Sequence, residues 1–438
     1  MTWREEAAGS LAGAFDGVFG GDGVVTAAAC VDETGTAIRV SPGSTPGDGR
    51  FEIGSVTKTM TATLLALLAA EGRLRLDDHV GRWLSAGANG QITLRQLATH
   101  TSGLPRLAPN MDLAVADPAN PWAGFGFERA EEGLRQAVPA PGRPRLYSNF
   151  GYHLLGLVVE RASGRSYPEL ITERLLEPLA MTCSGIGSSG GGIPLPGHAG
   201  GGEVPHWEQP LGAGGVEATI GDMARYAEAC LRPPGNPLGA AITATQGRQV
   251  PTGDEGQQAL GWGVRDDGTL LHSGGTGGFS SVALVDPGRG RAVTVLASYG
   301  EGHGEALTRA GLLALAGGDP RAARPQPPGP EWENRAREVI RALLDGRPGD
   351  VYARGSAMFR SRISAEQLDR AWRDRTRSLG PAADVQVSCR RPAGVIVADV
   401  KITFAGGRVA GRIGFNPSGR ITEMRFLRPV QETPPLPG

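Results

Sequence analysis

A proline- and glycine-rich segment near residue 320 constrains the fold of this 438-residue chain more than any other feature. Residues 317–330 read Gly-Gly-Asp-Pro-Arg-Ala-Ala-Arg-Pro-Gln-Pro-Pro-Gly-Pro and have no hydrophobic periodicity. Such a segment favours a semi-rigid, extended linker, because proline interrupts helices and cannot donate a hydrogen bond in a sheet. The sequence therefore predicts two domains, residues 1–316 and 331–438, joined by a linker at 317–330.

The charges of the chain exclude several classes of partner. Residues from 320 onward carry 21 Arg and Lys against 12 Asp and Glu, but the formal net charge of the whole chain is only −1. We therefore expect binding to neither nucleic acid nor an anionic membrane. The four cysteines lack the spacing of metal or redox sites, so no metal is expected. Because no apolar run could span a bilayer and no signal peptide is apparent, the sequence predicts a cytoplasmic protein.

Strand and helix patterns alternate along the chain. In the first domain, strand patterns cover residues 24–29, 36–40, 269–272, 281–285 and 292–297, and helical patterns cover residues 57–71, 220–231 and 305–316. Strands at both ends with helices between them predict an α+β fold, in which an antiparallel sheet is flanked by helices and joined to a helical region. In the tail, helical patterns precede four strand patterns, at 385–391, 395–404, 409–415 and 421–427, which predicts a small α+β domain.

The most informative residue count concerns lysine. Of 44 basic residues only Lys58 and Lys401 are lysines, so a position that retains lysine can be one that needs an amine able to lose its proton. Lys58 follows Ser55 by three residues at the start of the apolar helix, where residues i and i+3 share a face. A neutral Lys58 amine could accept the proton of the Ser55 hydroxyl. The alternative is a surface lysine beside a helix-capping serine.

Tyr147 and Asn149 form a second candidate pair. Alternate residues of an extended segment point the same way, so a phenol and an amide can face one pocket. A phenol near an ammonium group can approach the phenolate form and relay protons. The alternative is an ordinary half-buried tyrosine in a loop. A G-x-S-x-G match at Ser189 lies in a glycine-rich loop without a preceding strand, so we do not expect Ser189 to be a nucleophile.

Together these motifs resemble those of the class C serine β-lactamases and their relatives among penicillin-recognising enzymes. The relatives include DD-peptidases, D-aminopeptidases, β-lactamase-like carboxylesterases and natural-product transacylases. The resemblance covers about residues 10–316. It joins the S-x-x-K motif at 55–58, the Y-x-N motif at 147–149, the Ala-Gly-Gly stretch at 213–215 and His272-Ser-Gly at 272–274. The tail resembles the small cone-shaped domains of the nuclear-transport-factor-like superfamily.

The resemblance implies roles for each motif. Ser55 is the nucleophile, Lys58 its base and Tyr147 the proton relay, while Asn149 binds both the lysine and the substrate. The family's oxyanion hole corresponds to the backbone N–H groups of Ser55 and Gly275.

The third motif carries the departure from the β-lactamases. His272 stands where these enzymes usually have lysine, and it carries a positive charge only when protonated. That substitution favours substrates without an obligatory carboxylate. Ser273 and Gly274 are the expected substrate-binding residues.

The expected function is a serine hydrolase or acyltransferase without a metal or organic cofactor. It would take an acyl group from a small-molecule ester or amide and pass it to an amine, an alcohol or water, as an intracellular transacylase or esterase. The alternatives are a D-amino-acid-selective peptidase, a peptide-cyclising acyltransferase or a β-lactamase. A more distant alternative is a non-catalytic sensor that is acylated and stops.

Overall fold

The computed structural model describes most of the chain. It describes residues 2–15, 23–41, 49–111, 122, 124–140, 145–187, 189–199, 202–206, 210–251, 257–300, 304–324, 328–356, 359–360, 364–390, 396–416 and 418–426. The chain divides into two compact units, Met1–Arg324 and Pro325–Gly438. Within the described ranges, every helix is too short or too polar to cross a membrane.

The longer strands of the first unit lie toward its two ends, and several short strands lie between them. They are β1 (Thr26–Asp32), β2 (Gly35–Val40), β3 (Gly49–Glu52), β4 (Ile193–Pro194), β5 (Gly197–Ala199), β6 (Gly202–Val204), β7 (Glu217–Ala218), β8 (Val250–Pro251), β9 (Gln257–Gln258), β10 (Gly263–Val264), β11 (Leu270–Gly275), β12 (Ser280–Asp286) and β13 (Arg291–Ala297). Eight of them form an antiparallel sheet in the order β2-β1-β13-β12-β11-β10-β9-β8. The predicted antiparallel sheet is therefore confirmed.

The helices of the first unit lie mostly between these groups of strands. They are α1 (Trp3–Gly13), α2 (Thr57–Ala70), α3 (Leu94–Ala98), α4 (Phe127–Gln136), α5 (Asn149–Ser163), α6 (Tyr167–Ile171), α7 (Leu211–Gly214), α8 (Ile220–Leu231), α9 (Pro237–Gln246) and α10 (Gly304–Leu315). The predicted apolar helix at 57–71 is α2, and it ends before Gly72, which adopts φ +72°.

Both faces of the large sheet are covered by helices. Strand β1 shows this arrangement, because its alternate side chains enter two different cores. Ala27 and Ala29 pack on the face that carries α8, whereas Ala28 and Cys30 pack beneath α1 and α10. Small, apolar residues at successive positions are typical of a strand buried on both faces. The unit is therefore a helix–sheet–helix sandwich, with α2 buried in the larger of the two cores.

The segment after α10 differs from the predicted extended linker. Pro320–Ala323 form a short 3₁₀ helix capped by the Asp319 side chain, and Ala323 is buried in the core beneath α1 and α10. The Arg324 guanidinium also donates to the backbone carbonyls of Gly13 and Ala14. Proline at the first helical position and an Asp cap favour a helical turn, a signal that the overall proline content obscured. This part of the segment belongs structurally to the first unit.

The second unit is a four-stranded antiparallel meander with helices. Its helices are α11 (Pro330–Leu344), α12 (Pro348–Ala353) and α13 (Ala365–Thr376), and its strands are β14 (Ala382–Arg390), β15 (Ile396–Phe404), β16 (Gly407–Phe415) and β17 (Ile421–Phe426). The strands pair in sequence order, as the tail pattern predicts. Residues 391, 395 and 427, which the predicted strands included, lie outside the described residues. The resemblance to nuclear-transport-factor-like domains stays a prediction.

Candidate active site

Ser55 lies in a tight turn between β3 and α2. Gly54–Val56 form a 3₁₀ turn that continues directly into α2, and the side chain of Ser55 is partly exposed. The turn is fixed to the sheet because the Ser281 hydroxyl donates to the Ile53 carbonyl at 2.7 Å. Gly54 adopts φ +49°, and a Cβ there would lie 2.8 Å from the Gly275 backbone nitrogen. Only glycine fits this left-handed, crowded position, a constraint that sequence reasoning missed.

Lys58 is completely buried on the first turn of α2. Its Nζ lies 2.9 Å from Ser55 Oγ, 2.9 Å from Asn149 Oδ1 and 2.6 Å from the Ala213 carbonyl oxygen. Burial, together with the positive charge of Arg106, lowers the pKa of Lys58 well below its usual range. The two carbonyl oxygens can only accept hydrogen bonds, so in the neutral amine they hold its two N–H groups. The lone pair of the neutral amine is then directed at the Ser55 hydroxyl.

The Ala213 carbonyl reaches Lys58 because two helices approach closely. Gly156 of α5 and Gly212 of α7 face each other, and a Cβ on Gly212 would lie 2.6 Å from the Tyr152 carbonyl oxygen. The pair of glycines lets the backbone of α7 sit against α5, directly beside the amine. The sequence singled out 213–215 only by resemblance, and the structure gives Ala213 a definite contact.

Tyr147 and Asn149 flank the residue that caps α5. The Ser148 hydroxyl accepts from the Gly151 N–H at 2.8 Å and donates to the Pro105 carbonyl at 2.7 Å. Asn149 accepts from Lys58, and the Tyr147 hydroxyl is hydrogen-bonded to Ser55. The structure therefore brings Ser55, Lys58, Tyr147 and Asn149 together.

The protonation of Tyr147 differs from the expectation of a phenolate-like group. Burial raises the pKa of Tyr147, and the hydrogen bond with Ser55 and the charges of Arg106 and Arg145 oppose that rise only in part. The resting group is a phenol, which can pass on a proton but does not start as a base.

His100 is a further residue of this site. Its ring packs on the Tyr147 ring with centroids 4.4 Å apart, and its Nδ1 accepts from the Ser148 N–H at 3.1 Å. Burial lowers the pKa of His100 well below its usual range, so the ring is neutral and can accept that bond. Its φ of +59° is uncommon for a residue other than glycine. His100 therefore positions the segment that carries Tyr147.

His272 lies at the same site on β11 but is uncharged. Burial, with smaller contributions from Lys58 and Arg145, lowers the pKa of His272 to about 3. Its Nδ1 lies 2.8 Å from the Ser273 carbonyl oxygen, which can only accept, so Nδ1 carries the proton and Nε2 keeps a lone pair. The ring centroid lies 6.4 Å from that of Tyr147. The third motif therefore places no positive charge here at neutral pH.

Two arginines supply the positive charge instead. The guanidinium carbons of Arg106 and Arg145 lie 5.4 and 5.9 Å from the centroid of the Tyr147 ring. Neither arginine belongs to a motif, so sequence reasoning missed both. The partial signal was their position, one just after the loop at 92–105 and the other just before Tyr147.

The three residues after His272 face different surroundings. The Thr276 N–H donates to the Phe279 carbonyl oxygen and so points toward β12. Because successive N–H groups of an antiparallel strand point to opposite sides, the Gly275 N–H points away from β12. Strand β10 pairs with β11 only as far as Leu271, and Gly54 occupies the space beyond it. The Gly275 N–H is therefore directed toward the nucleophile turn.

Gly274 and Ser273 point to opposite sides of β11. Gly274 is packed against the nucleophile turn, because a Cβ there would lie 2.1 Å from the Ile53 carbonyl oxygen. Ser273 is exposed. The substrate-binding roles expected for these two residues stay predictions.

Ser189, the alternative nucleophile motif, makes only local contacts. Its hydroxyl accepts from the Ile186 N–H and donates to the Ile186 carbonyl, both at 2.8 Å. Such bonds are typical of a residue that closes its own turn. Among the described residues, no group of three or more His, Cys, Asp and Glu side chains is arranged to hold a metal ion.

Known proteins share this fold and sequence pattern. A class C β-lactamase superposes with a TM-score of 0.58 at 20% sequence identity, covering 68% of this chain and 92% of that structure. Among curated proteins, "Protein flp" of Staphylococcus aureus (strain N315) is 28% identical over 268 residues, which cover 57% of this chain and 53% of that protein. The "D-alanyl-D-alanine-carboxypeptidase/endopeptidase AmpH" of Escherichia coli (strain K12) is 31% identical over 232 residues, which cover 49% of this chain and 60% of that protein.

These matches concern part of each relative. The chain spans little more than half the length of the curated relatives it matches. A family model described as "Beta-lactamase" matches residues 4–318, which contain every residue of the site described above. Since this match extends over well more than half of its length, the chain belongs to the Beta-lactamase family.

Proposed function

We propose that this protein is a serine hydrolase or acyltransferase that forms a covalent acyl intermediate on Ser55. The observation that carries the proposal is the environment of Lys58. Its amine is fully buried, contacts the Ser55 hydroxyl, and has amide and carbonyl oxygens rather than a carboxylate as its other neighbours. A buried lysine without a counter-charge favours the neutral amine, which is the form that a general base needs.

In the first half of the reaction, the Ser55 oxygen attacks the carbonyl carbon of an ester or amide. The hydroxyl proton passes to the Lys58 lone pair as the C–O bond forms. The N–H groups of Ser55 and Gly275 then stabilise the negative charge on the carbonyl oxygen. When the intermediate collapses, the bond to the leaving group breaks and Tyr147 gives that group a proton, which is replaced from Lys58.

In the second half, an acceptor attacks the acyl group on Ser55. Tyr147 passes its own proton to the neutral Lys58 amine as it takes the proton of water, an alcohol or an amine. Lys58 then returns a proton to the Ser55 oxygen as the bond between Ser55 and the acyl group breaks. The glycine-rich segment 189–199 pairs with β3 through Ile193 and Pro194 and contacts Gly278 through Gly197. It thus borders the strand that leads to Ser55. An acyl-enzyme shielded from water favours transfer to a larger acceptor.

The first experiment identifies the nucleophile. The protein is incubated with an activated ester, and the modified residue is located by mass spectrometry of peptides. Ser55→Ala should abolish the adduct, and Ser189→Ala, a matched removal of one hydroxyl, should leave it unchanged. An adduct on Ser189, or one that survives Ser55→Ala, contradicts the assignment.

A second experiment separates transfer from hydrolysis. Consumption of the ester is followed with and without a panel of amines and alcohols, and free acid is resolved from transfer product by mass. Transfer product whose yield rises with acceptor concentration supports an acyltransferase. Free acid alone, at a rate independent of the acceptor, supports a plain esterase.

The similarity to AmpH supports peptidase activity as the second candidate. Release of D-alanine from a peptide that ends in D-alanyl-D-alanine tests it directly. Lasting labelling of Ser55 by a fluorescent penicillin, without turnover of any ester, would favour a sensor instead.

A further inference from the structure

A second cavity lies behind the nucleophile turn. It encloses about 560 Å³ and is bordered by Glu52 at the end of β3, by Gly214 and Gly215, and by α5. Glu52 is separated from Ser55 by only two residues, and Gly214 directly follows Ala213, which contacts Lys58. The cavity therefore adjoins the backbone segments that build the active site.

Two carboxylates face each other in its wall. Glu52 and Glu217 are directly opposite on the paired strands β3 and β7, and both side chains are more than nine-tenths buried. Like charges at such a position destabilise a sheet unless they are compensated. Arg50 compensates Glu217 through a bond of 2.9 Å, but its remaining N–H groups are engaged by loop carbonyls.

The negative charge of Glu52 is only partly compensated. His206 Nδ1 contacts Glu52 Oε1 at 2.5 Å, and this imidazole is more than half exposed at the rim. The other oxygen, Oε2, is buried and has no hydrogen-bond partner among the residues that the structure describes. A buried carboxylate oxygen without a donor is costly, so a donor that enters beside His206 would be bound favourably.

The other titratable groups of the cavity also favour a positively charged ligand. Its lining includes a third carboxylate, Glu160, and no Lys or Arg among the described residues. Contact with Glu52 raises the pKa of His206, so His206 can offset one negative charge, whereas burial lowers the pKa of His153 to about 4 and leaves that ring neutral. With Arg50 paired to Glu217 and a protonated His206 paired to Glu52, the three carboxylates leave one net negative charge, so the potential in the cavity favours a cation over an anion.

The remaining wall is aromatic. Trp122, Phe125 and Phe127 line the cavity next to these carboxylates. Aromatic faces accommodate an alkyl chain and attract an ammonium group. The lining thus suits a flexible chain that ends in a positive charge.

We propose that this cavity binds the ammonium-bearing end of the acyl group that Ser55 takes up. The inference rests on the proposed function, since it names the class of acyl donor for that site. The donor is an ester or amide whose acyl chain carries an amine at its far end, with Glu52 as the residue that determines this specificity.

The test compares three p-nitrophenyl esters of similar length. They are the esters of aminohexanoate, of its carbon isostere heptanoate, and of adipate, which ends in a carboxylate. After correction for spontaneous hydrolysis, kcat/KM should be at least about tenfold higher for aminohexanoate than for heptanoate, as expected for a charge-assisted hydrogen bond. Adipate should react more slowly than both.

Two variants assign the preference to Glu52. Glu52→Gln keeps the shape of the side chain and removes its charge, so it should reduce the ratio of aminohexanoate to heptanoate by about tenfold. Glu173→Gln makes the same change at an exposed carboxylate outside the cavity and should leave that ratio unchanged. If heptanoate is preferred by the wild-type protein, or if both variants shift the ratio equally, the inference is wrong.

Binding without chemistry separates the inference from the proposed function. Calorimetry of the wild-type protein with hexylammonium and with hexanol tests the cavity directly, and hexylammonium should bind more tightly. If neither binds more tightly although the esters acylate Ser55, the cation site is wrong and the catalytic proposal stands. If hexylammonium is preferred but no ester acylates Ser55, the site stands and the catalytic proposal fails.

Discussion

The most direct test of the site geometry is the substitution Gly54→Ala. This glycine precedes the nucleophile, adopts φ +49°, and lies against the backbone of Gly275. A left-handed conformation costs a residue with a Cβ about 1–2 kcal/mol. The new Cβ would also lie 2.8 Å from the Gly275 nitrogen, which is closer than real Cβ contacts, and 3.0 Å from its carbonyl oxygen. Relieving such overpacking typically costs a further ~1–3 kcal/mol.

The expected effect on catalysis is larger than the effect on stability. To relieve the contact, the Ser55 turn and the Gly275 strand must separate, and these carry the two N–H groups proposed to bind the oxyanion. Losing one such donor lowers kcat about 100- to 1,000-fold, which corresponds to about 2.7–4 kcal/mol. The measurement is the burst of nitrophenol from an activated ester, with urea unfolding of the same preparation.

Gly72→Ala is the matched control. Gly72 follows the other end of α2 with φ +72°, and no described residue other than its neighbours in the chain lies within 4 Å of the position of its Cβ. The Gly72→Ala variant should lose about 1–2 kcal/mol of stability, which is the cost of the left-handed conformation alone, and should keep its acylation rate. If Gly54→Ala also keeps its rate within about twofold, the contact between Gly54 and Gly275 does not define the oxyanion site.

Three further predictions concern the base, the buried histidine and the unit boundary. Lys58→Arg should reduce acylation nearly as much as Lys58→Ala, because arginine stays charged; retention of most activity would show that only the charge matters. The free energy of unfolding should fall as pH decreases from about 6.5 toward 3, because the unfolded chain protonates His272 at a higher pH than the folded chain does. In urea titrations, His272→Gln should reduce the dependence of the free energy of unfolding on pH. If that dependence is unchanged, the burial of His272 does not lower its pKa. Residues 1–324 should unfold cooperatively when expressed alone, and residues 1–319 should be less stable because they lack the buried Ala323; equal midpoints would contradict the packing described for this segment.

The sequence predicts the parts of the fold that depend on local periodicity. The strands β1 and β2, the apolar helix α2 and the four strands of the tail all follow from the spacing of apolar residues. The meeting of Ser55 and Lys58 follows equally from helical geometry, because the two are three residues apart. The approach of Asn149 and Tyr147 to that pair depended on resemblance, since no local rule brings α5 beside α2.

Other features of the site arise only from the packing of distant segments. Gly54 is just one of 68 glycines until β11 lies against it, and the Ala213 carbonyl reaches Lys58 only because Gly156 and Gly212 let two helices approach. The neutrality of His272 and the raised pKa of Tyr147 both result from burial, which the motifs do not encode. Sequence reasoning therefore identified the reacting groups more readily than the groups that set their protonation.

The same packing gives the site opposite potentials on its two sides. Arg106 and Arg145 lie beside Tyr147, the group proposed to serve the leaving group and the acceptor. The cavity behind the nucleophile turn has three carboxylates, which keep one net negative charge after the pairing with Arg50 and His206. A positive potential lowers the pKa of a nearby amine and so favours its neutral, nucleophilic form. A negative potential keeps an amine protonated. An amine on the acyl chain would thus remain a bound ammonium while an acceptor amine is free to attack, which gives one active site a means to distinguish the two.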